Sequence, residues 1–344
     1  MSPAPITTYR SLGYVGLVRE ATPGTGEAPS KFYKFIEPVS LKAVQDVMIY
    51  RDGNVRDLTV PLKQTAHYEG SFKALAYADE AAALTAWAMG KDTISGAGDP
   101  YTHTLTLLDT LPWLGGELGY AEDAMTTVVG MVDRIIDAKI SQLVIEGAAG
   151  SQVFLTPTIQ GLKADFQNTT PTAQVFNDGS GQGPYTFQQS VFTFTNLGSD
   201  SATLQGQVQS FKITLNQNNL VVYGPAQLPG IGIVERGREI SLEFVVVFST
   251  NSLYRVGYFG GTSGTAFLET IAAGTFNIVA TCQASPLHNM SITCNAFDVE
   301  EVTPILNPNA ELMTFAVKGR CVKVGATYPM TAIFKNAVNA AYTA

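Results

Sequence analysis

The sequence has little of what most catalytic and metal sites require. Among its 344 residues there are only three histidines and three cysteines, and none of them falls in the spacing of a zinc site or of a metal-dependent hydrolase. It has neither a Gly-x-Ser-x-Gly nucleophile motif nor a Walker phosphate loop. We therefore expect a protein that is not an enzyme and that holds no cofactor and no metal.

Charged residues are also scarce. They make up 15% of the chain, and 21 basic against 29 acidic residues give a formal net charge of −8. Such a chain lacks the basic patch that phosphate contact needs, so we do not expect stable binding to nucleic acid. The most apolar stretches, such as Phe244–Phe248, are far shorter than the roughly 20 residues of a membrane span. The chain nevertheless has 45% hydrophobic residues, enough to bury a large core.

The N-terminus and the cysteines bear on where the chain is made. No basic segment followed by an apolar run opens the sequence, so we expect no secretion signal. Three cysteines cannot all pair, and their number indicates no disulfide framework. Both observations predict synthesis in a reducing compartment, the cytoplasm of the cell that makes the protein.

Most of the chain is predicted to be β-strand, because apolar and polar residues alternate with a period of two. The alternation is clear in Ile140–Ile145, Phe211–Leu215 and Ile240–Phe244. Ala78–Met89 departs from it: this segment is rich in helix formers, begins with acidic residues and is followed by Gly90, which predicts a helix of about three turns. The expected fold is mainly β, with β-sandwich or barrel units that each carry one helix.

The two halves of the chain show a similar order of elements. In the first half, a strand at Ser40–Tyr50 leads through a hairpin to a second strand, the helix and further strands. In the second half, a strand at Ser210–Leu215 leads through a turn to another strand, a predicted short helix at Asn251–Tyr258 and further strands. We interpret this order as a tandem duplication, with a first unit at 1–180, which includes an N-terminal arm, and a second at 181–344.

Five short motifs occur in order along nearly the whole chain. The first combines a glycine, a glutamate and a Thr-x-Gly-Thr turn (Gly16–Thr25), and the second is a strand followed by the helix (Glu69–Gly90). The third is a Tyr-x-His segment followed by Leu-Pro (Tyr101–Pro112). The last two are a Gly-Arg-x-Ile strand (Glu235–Ile240) and a closing strand that ends in asparagine (Pro329–Asn336). Together they resemble the phage tail tube proteins, the major tail proteins of long-tailed siphophages. None of these motifs is catalytic.

This resemblance implies a structural virion protein of the phage tail, assembled in the host cytoplasm. It implies a homo-oligomer whose strands close into a ring-shaped β-barrel and whose rings stack into a tube, through which genome DNA passes without specific binding. With two tandem units, three chains would complete a pseudo-hexameric ring. Six chains, each with one tube unit and a decoration domain, are the alternative. Tail terminator and tail tip proteins are the implied partners at the tube ends, and no membrane is implied.

Two sets of residues are candidates for tube contacts. The hairpin tip carries both signs of charge, which suits contact with the next ring: Tyr50, Arg51, Asp52, Asn54, Arg56 and Asp57. Acidic residues on the polar alternation of strands are candidates for a lumen lining that repels the phosphate backbone: Glu117, Glu146, Glu243 and Asp298.

Two other interpretations remain open from the sequence. The first is another β-rich phage structural protein, such as a tail terminator or a head decoration protein. Polymerisation would separate these from a tube protein, because a terminator caps a tube as one ring. The second is a carbohydrate-binding β-sandwich, which usually displays clustered aromatic side chains, whereas the 14 tyrosines and 18 phenylalanines here are scattered through strand patterns.

Overall fold

The computed structural model describes residues 12–50, 60–121, 131–167, 172, 183–197, 200–203, 207–225, 228–247, 255, 259, 273–282, 285–305 and 313–343. Within these residues the chain forms one helix and twenty strands. In chain order they are β1 (Leu12–Arg19), β2 (Lys31–Tyr33), β3 (Lys42–Tyr50), β4 (Val60–Ser71), β5 (Ala74–Leu75), α1 (Ala78–Met89), β6 (Gly90–Ser95), β7 (Tyr101–Leu107), β8 (Leu114–Ala121), β9 (Met131–Ala148), β10 (Val153–Gln167), β11 (Tyr185–Leu197), β12 (Asp200–Thr203), β13 (Val208–Asn216), β14 (Leu220–Val222), β15 (Gly232–Val234), β16 (Glu239–Val247), β17 (Ala273–Cys282), β18 (Asn289–Ile305), β19 (Thr314–Cys321) and β20 (Met330–Asn336).

The sheet that organises the molecule runs through strands from both halves of the sequence. β9 pairs antiparallel with β10 along most of its length, and its C-terminal half also pairs with β13. From β13 the order continues through β16, β19, β18, β17 and β11. The last strand, β20, pairs with both β18 and β7 and so joins the end of the chain to its first half. The pairings of the described strands do not close into a barrel within one chain.

The predicted alternation is confirmed in β13 and β16, whereas in Ile140–Ile145 of β9 a register shift at Ser141 interrupts it. In β13 the side chains of Phe211, Ile213 and Leu215 are buried, and in β16 those of Ile240, Leu242 and Phe244 are buried, whereas the residues that alternate with them lie on the opposite face. Buried side chains of both halves belong to one hydrophobic core. The proposed division into tandem units remains a prediction, because nothing in this arrangement tests it.

The helix predicted at Ala78–Met89 is confirmed with the same bounds, and Gly90 ends it in the left-handed conformation, with φ of 101°. Every residue of α1 is buried. The helix is rich in alanine and therefore narrow, which lets it pack against β9, β7 and β20. Trp87 is 2% exposed and donates its indole N–H to the carbonyl of Tyr342 at 3.0 Å.

Other expectations have mixed outcomes. Cys294 in β18 and Cys321 in β19 form a disulfide, a pairing that the cysteine count did not indicate, and Cys282 is a buried free thiol, as expected of an odd number of cysteines. Trp113 is partly buried and packs against a small second cluster formed by Leu162, Val221 and Ile233. The second predicted helix, Asn251–Tyr258, lies outside the described residues except for Arg255. In the described part of the chain, no helix has the length and hydropathy of a membrane span.

The C-terminal residues are hydrogen-bonded to the first half of the chain through His103 and Asp92. The backbone N–H of Tyr342 donates to Asp92 at 2.9 Å. His103, fully buried, has Nδ1 2.8 Å from Asp92 Oδ2 and Nε2 2.9 Å from the carbonyl oxygen of Val338. A backbone carbonyl and a carboxylate both accept hydrogen bonds, so the charged imidazole, which donates from both ring nitrogens, is the form that satisfies both contacts. Burial lowers the pKa of His103, but the hydrogen bond and charge of Asp92 outweigh burial, and the net effect raises this pKa.

We expect this contact to make stability fall as the pH rises. The folded-state pKa of His103 lies above its ordinary value of 6.5, so its contribution is complete below about pH 6.5 and is lost as the pH rises through the folded-state pKa. In that window the slope is up to about −1.4 kcal/mol per pH unit. Urea unfolding of the wild type and of His103→Gln, measured from pH 6 upward, should give a free-energy difference that shrinks with pH. A constant difference would show that His103 is neutral in the folded chain.

Candidate functional site

One face of the central sheet is polar and charged, and we call it the ladder face. It consists of the side chains that point away from the core on β9, β13, β16, β19 and the C-terminal half of β18. On each strand they alternate with buried residues such as Leu143, Ile213, Leu242 and Val317. The face is thus a direct product of the period-two pattern, and its composition depends on which strands lie side by side.

A row of alternating charge crosses the ladder face. Glu146 of β9 lies opposite Lys212 of β13, and Lys212 lies opposite Glu243 of β16. Glu243 lies opposite Lys318 of β19, which lies opposite Glu301 of β18. Directly opposed side chains on neighbouring strands are close enough to interact, and opposite charges there are favourable. Each lysine of the row therefore has a glutamate on both sides.

A second charged group lies beside this row, around Arg320 of β19. Its Nε is 2.5 Å from Glu300 and 3.3 Å from Glu239, and it lies opposite Asp298. Burial and the charge of Glu300 raise the pKa of Asp298, and Arg320 opposes this shift. One guanidinium thus faces three carboxylates.

The ladder face is concave and borders an open groove of about 690 Å³. Its lining runs from Lys73 and Phe154 at one side, past Glu146 and Lys212, to Glu301 at the other. Lys73 reaches Glu146 at 2.8 Å and Glu37 at 2.9 Å. The hydrogen bonds to these two carboxylates, with Glu146 first, raise the pKa of Lys73 against the opposing effect of burial.

The described ladder face carries an excess of negative charge. Its six carboxylates outnumber its three cations and give a formal charge of −3: Glu146, Glu239, Glu243, Asp298, Glu300 and Glu301 against Lys212, Lys318 and Arg320. Nowhere in the described residues do three His, Cys, Asp or Glu side chains converge to hold a metal ion. The chemistry of this face is therefore long-range electrostatics and hydrogen bonding at a polar surface.

Three of the four acidic residues selected from the sequence, Glu146, Glu243 and Asp298, lie on the ladder face. The selection missed Lys212, Lys318, Arg320 and Glu301, which share the face with them. Strand alternation marks Lys212 and Lys318 as outward-facing. The register that places each lysine between two glutamates is a tertiary property.

The fourth residue, Glu117, does not lie on an accessible surface. It is 1% exposed, accepts a hydrogen bond from the hydroxyl of Tyr14, and accepts two more, each of 3.0 Å, from the backbone N–H and the hydroxyl of Thr172. Burial and this carboxylate raise the pKa of Tyr14. A carboxylate buried in the single chain cannot line a channel, so the prediction for Glu117 needs correction: its contacts make it a structural residue.

The hairpin formed by β3 and β4 carries the other predicted set. Tyr50 ends β3 and pairs with Val60 of β4, and the remaining five residues, Arg51, Asp52, Asn54, Arg56 and Asp57, lie outside the described residues. Along the hairpin Val47 is 53% exposed and Leu62 is 49% exposed. Its base contacts the loop between β14 and β15, where the N–H of Ala66 donates to the carbonyl of Leu228 at 2.7 Å.

The phage tail tube protein family matches the chain over residues 11–312. The chain belongs to this family. The family match includes the strands of the ladder face except β19, which begins at Thr314. No curated protein matches the chain. Membership makes it a structural component of the virion, as the ordered motifs of the sequence predicted.

The contrast between Glu117 and Glu243 gives a prediction about stability. Glu117→Ala should lower the free energy of unfolding of this tail tube protein by about 2–3 kcal/mol, because it leaves the buried Tyr14 hydroxyl and the Thr172 N–H without their acceptor. The matched change on the ladder face, Glu243→Ala, should cost less than about 0.5 kcal/mol, because Glu243 is 48% exposed and its ion pair with Lys318 spans 3.8 Å. Urea unfolding of both variants measures the difference, and equal costs would contradict it.

Proposed function

We propose that this tail tube protein polymerises into stacked rings that form the tail tube, the conduit for genome DNA during ejection. The observation that carries the proposal is family membership over residues 11–312. A polar, concave face with excess negative charge also supports it, since a conduit needs a wall to which DNA does not adhere. Homo-oligomerisation through strands would cover the sheet edges that a single chain leaves open.

We propose further that the ladder face lines the lumen. Glu146, Glu243 and Asp298 are its lining acids, and Glu117 is left out because it is buried. Like charges repel, so excess carboxylates keep the phosphate backbone from settling on the wall, and DNA can slide past without specific binding. The core side of the same strands is filled by buried side chains, so within these strands only the ladder face can meet a solvent-filled channel.

For the ring itself we propose three chains, each contributing two tandem units, 1–180 and 181–344, to a pseudo-hexamer. The ladder face supports this arrangement, because it joins β9 of the first unit to β13, β16, β19 and β18 of the second in one sheet. A homohexamer in which one half is a decoration domain is the alternative. Tail terminator and tail tip proteins are the expected partners at the two ends of the tube.

We assign the hairpin of β3 and β4 to contact with the next ring. Its tip sequence from Tyr50 to Asp57 carries both signs of charge, and its stem exposes Val47, Met48 and Leu62. An exposed apolar stem below a charged tip suits a contact that forms only on assembly.

Electron microscopy of the purified chain at high concentration tests the assembly. We expect hollow tubes of stacked rings, and views down the axis should show three chains per ring. Replacing residues 51–59 with Asn-Gly joins Tyr50 to Val60, which already pair, through a two-residue turn. This variant should form rings that do not stack. Full-length tubes from the variant would remove the hairpin assignment, and a chain that stays monomeric even with added tail tip complex would overturn the tube proposal.

DNA ejection tests the lumen assignment. Glu243→Lys places a third cation between Lys212 and Lys318, and many copies along the tube should slow ejection at least severalfold in phages assembled with the variant. Glu27→Lys is the matched control, because it makes the same charge change in the loop between β1 and β2, where Gly26 lies against Ile136 near the end of β9 opposite to Glu146. Ejection at the wild-type rate in the Glu243 variant would show that the ladder face does not line the lumen.

A further inference from the structure

Two lysines at the centre of a proposed DNA conduit need an explanation. An exposed lysine normally attracts phosphate, and several in a row would hold DNA on the wall. We propose that the carboxylates of the ladder mask Lys212 and Lys318, so that the face carries cations and still does not retain DNA. This inference rests on the proposed function for its biological meaning, while the masking itself is a property of the single chain.

The geometry of the row carries the inference. Lys318 lies opposite Glu243 on one side and opposite Glu301 on the other, and its Nζ is 3.8 Å from a carboxylate oxygen of Glu243. Lys212 lies opposite Glu146 on one side and Glu243 on the other. Glu146 also contacts Lys73 at 2.8 Å, and Lys73 in turn contacts Glu37 at 2.9 Å, so the alternation of charge continues beyond the row. Neither lysine has an open side along the row, because the neighbouring strand on each side presents an acid at the same register.

The distances involved decide the sign of the interaction with a phosphate. A phosphate about 4 Å from a lysine ammonium would stand about 6 Å from the two flanking carboxylates. Because Coulomb energy falls as the inverse of distance, one attraction at about 4 Å is outweighed by two repulsions at about 6 Å. Each lysine of the row is therefore neutral or weakly repulsive toward DNA. Arg320 has three carboxylates around it, so the repulsion of a phosphate exceeds the attraction by more there.

The lysines also have a structural reason to be there. If all five residues of the row were acidic, their side chains would repel one another across neighbouring strands and destabilise the sheet. Alternating the sign of charge removes that repulsion and still leaves three glutamates against two lysines in the row. The ladder therefore stabilises the sheet locally while the wall keeps its excess of negative charge.

The test removes the mask without adding a positive residue. Glu243→Gln combined with Glu301→Gln leaves Lys318 without its two flanking acids, whereas Lys212 keeps Glu146. The full chain, before polymerisation, is titrated against a short fluorescent duplex DNA at about 50 mM salt. We expect the double variant to bind at least about tenfold more tightly than the wild type, with binding that weakens as salt rises. Glu243 flanks both lysines, so adding Lys212→Gln and Lys318→Gln together to the double variant should abolish the gain.

A control separates masking from net charge. Glu27→Gln combined with Asp99→Asn makes the same change in formal charge at residues whose contacts lie off the ladder face, the N–H of Ala21 for Glu27 and His288 for Asp99, so it should bind DNA no better than the wild type. A gain in this control equal to that of the ladder variant, or a gain that survives removal of both Lys212 and Lys318, would overturn the masking inference. Failure of the tube proposal is seen separately, by electron microscopy of the wild type, and does not depend on the DNA titration.

Discussion

The pairing of β9 with β13 is the constraint on which the rest of this structure depends. β9 is 18 residues long, and its C-terminal half lies between β10 and β13. That position joins strands of the two sequence halves into one sheet. It also sets the register that brings Glu146 beside Lys212. A shift of one residue would turn every side chain of β9 to the other face, so both the core and the charged row depend on this register.

The two faces of this sheet differ in composition and in what they contact. The inner face is filled by aromatic and aliphatic side chains, and α1, rich in alanine and buried along its whole length, fits against it. The end of the chain is tied into this region by Asp92, Asp79 and His103, so that β20 and the tail after it hold the first half in place. The outer face is left free for charge. In a tube, such a division would allow the lumen surface to vary without disturbing the core.

In the proposed tube, the ladder would give a wall that contains cations and still repels DNA. Net charge alone, −8 for the chain, says nothing about where the acids lie. Their placement around Lys212, Lys318 and Arg320 matters more, because electrostatic energy at a surface depends on distances of a few ångströms and is screened beyond about 10 Å. Glu117 illustrates the opposite case, an acidic residue on a strand whose carboxylate serves the interior.

Several features of this protein are determined by sequence alone. Alternation placed the strands, the run at Ala78–Met89 gave the helix and its Gly90 end, and ordered motifs pointed to the tail tube family. These signals are local, because they arise from neighbours a few residues apart. The tertiary structure alone decided that Glu117 is buried, that Cys294 bonds Cys321, and that each ladder lysine lies between two acids. Those facts depend on the register between strands far apart in the chain, which the packing of the common core fixes and no local pattern records.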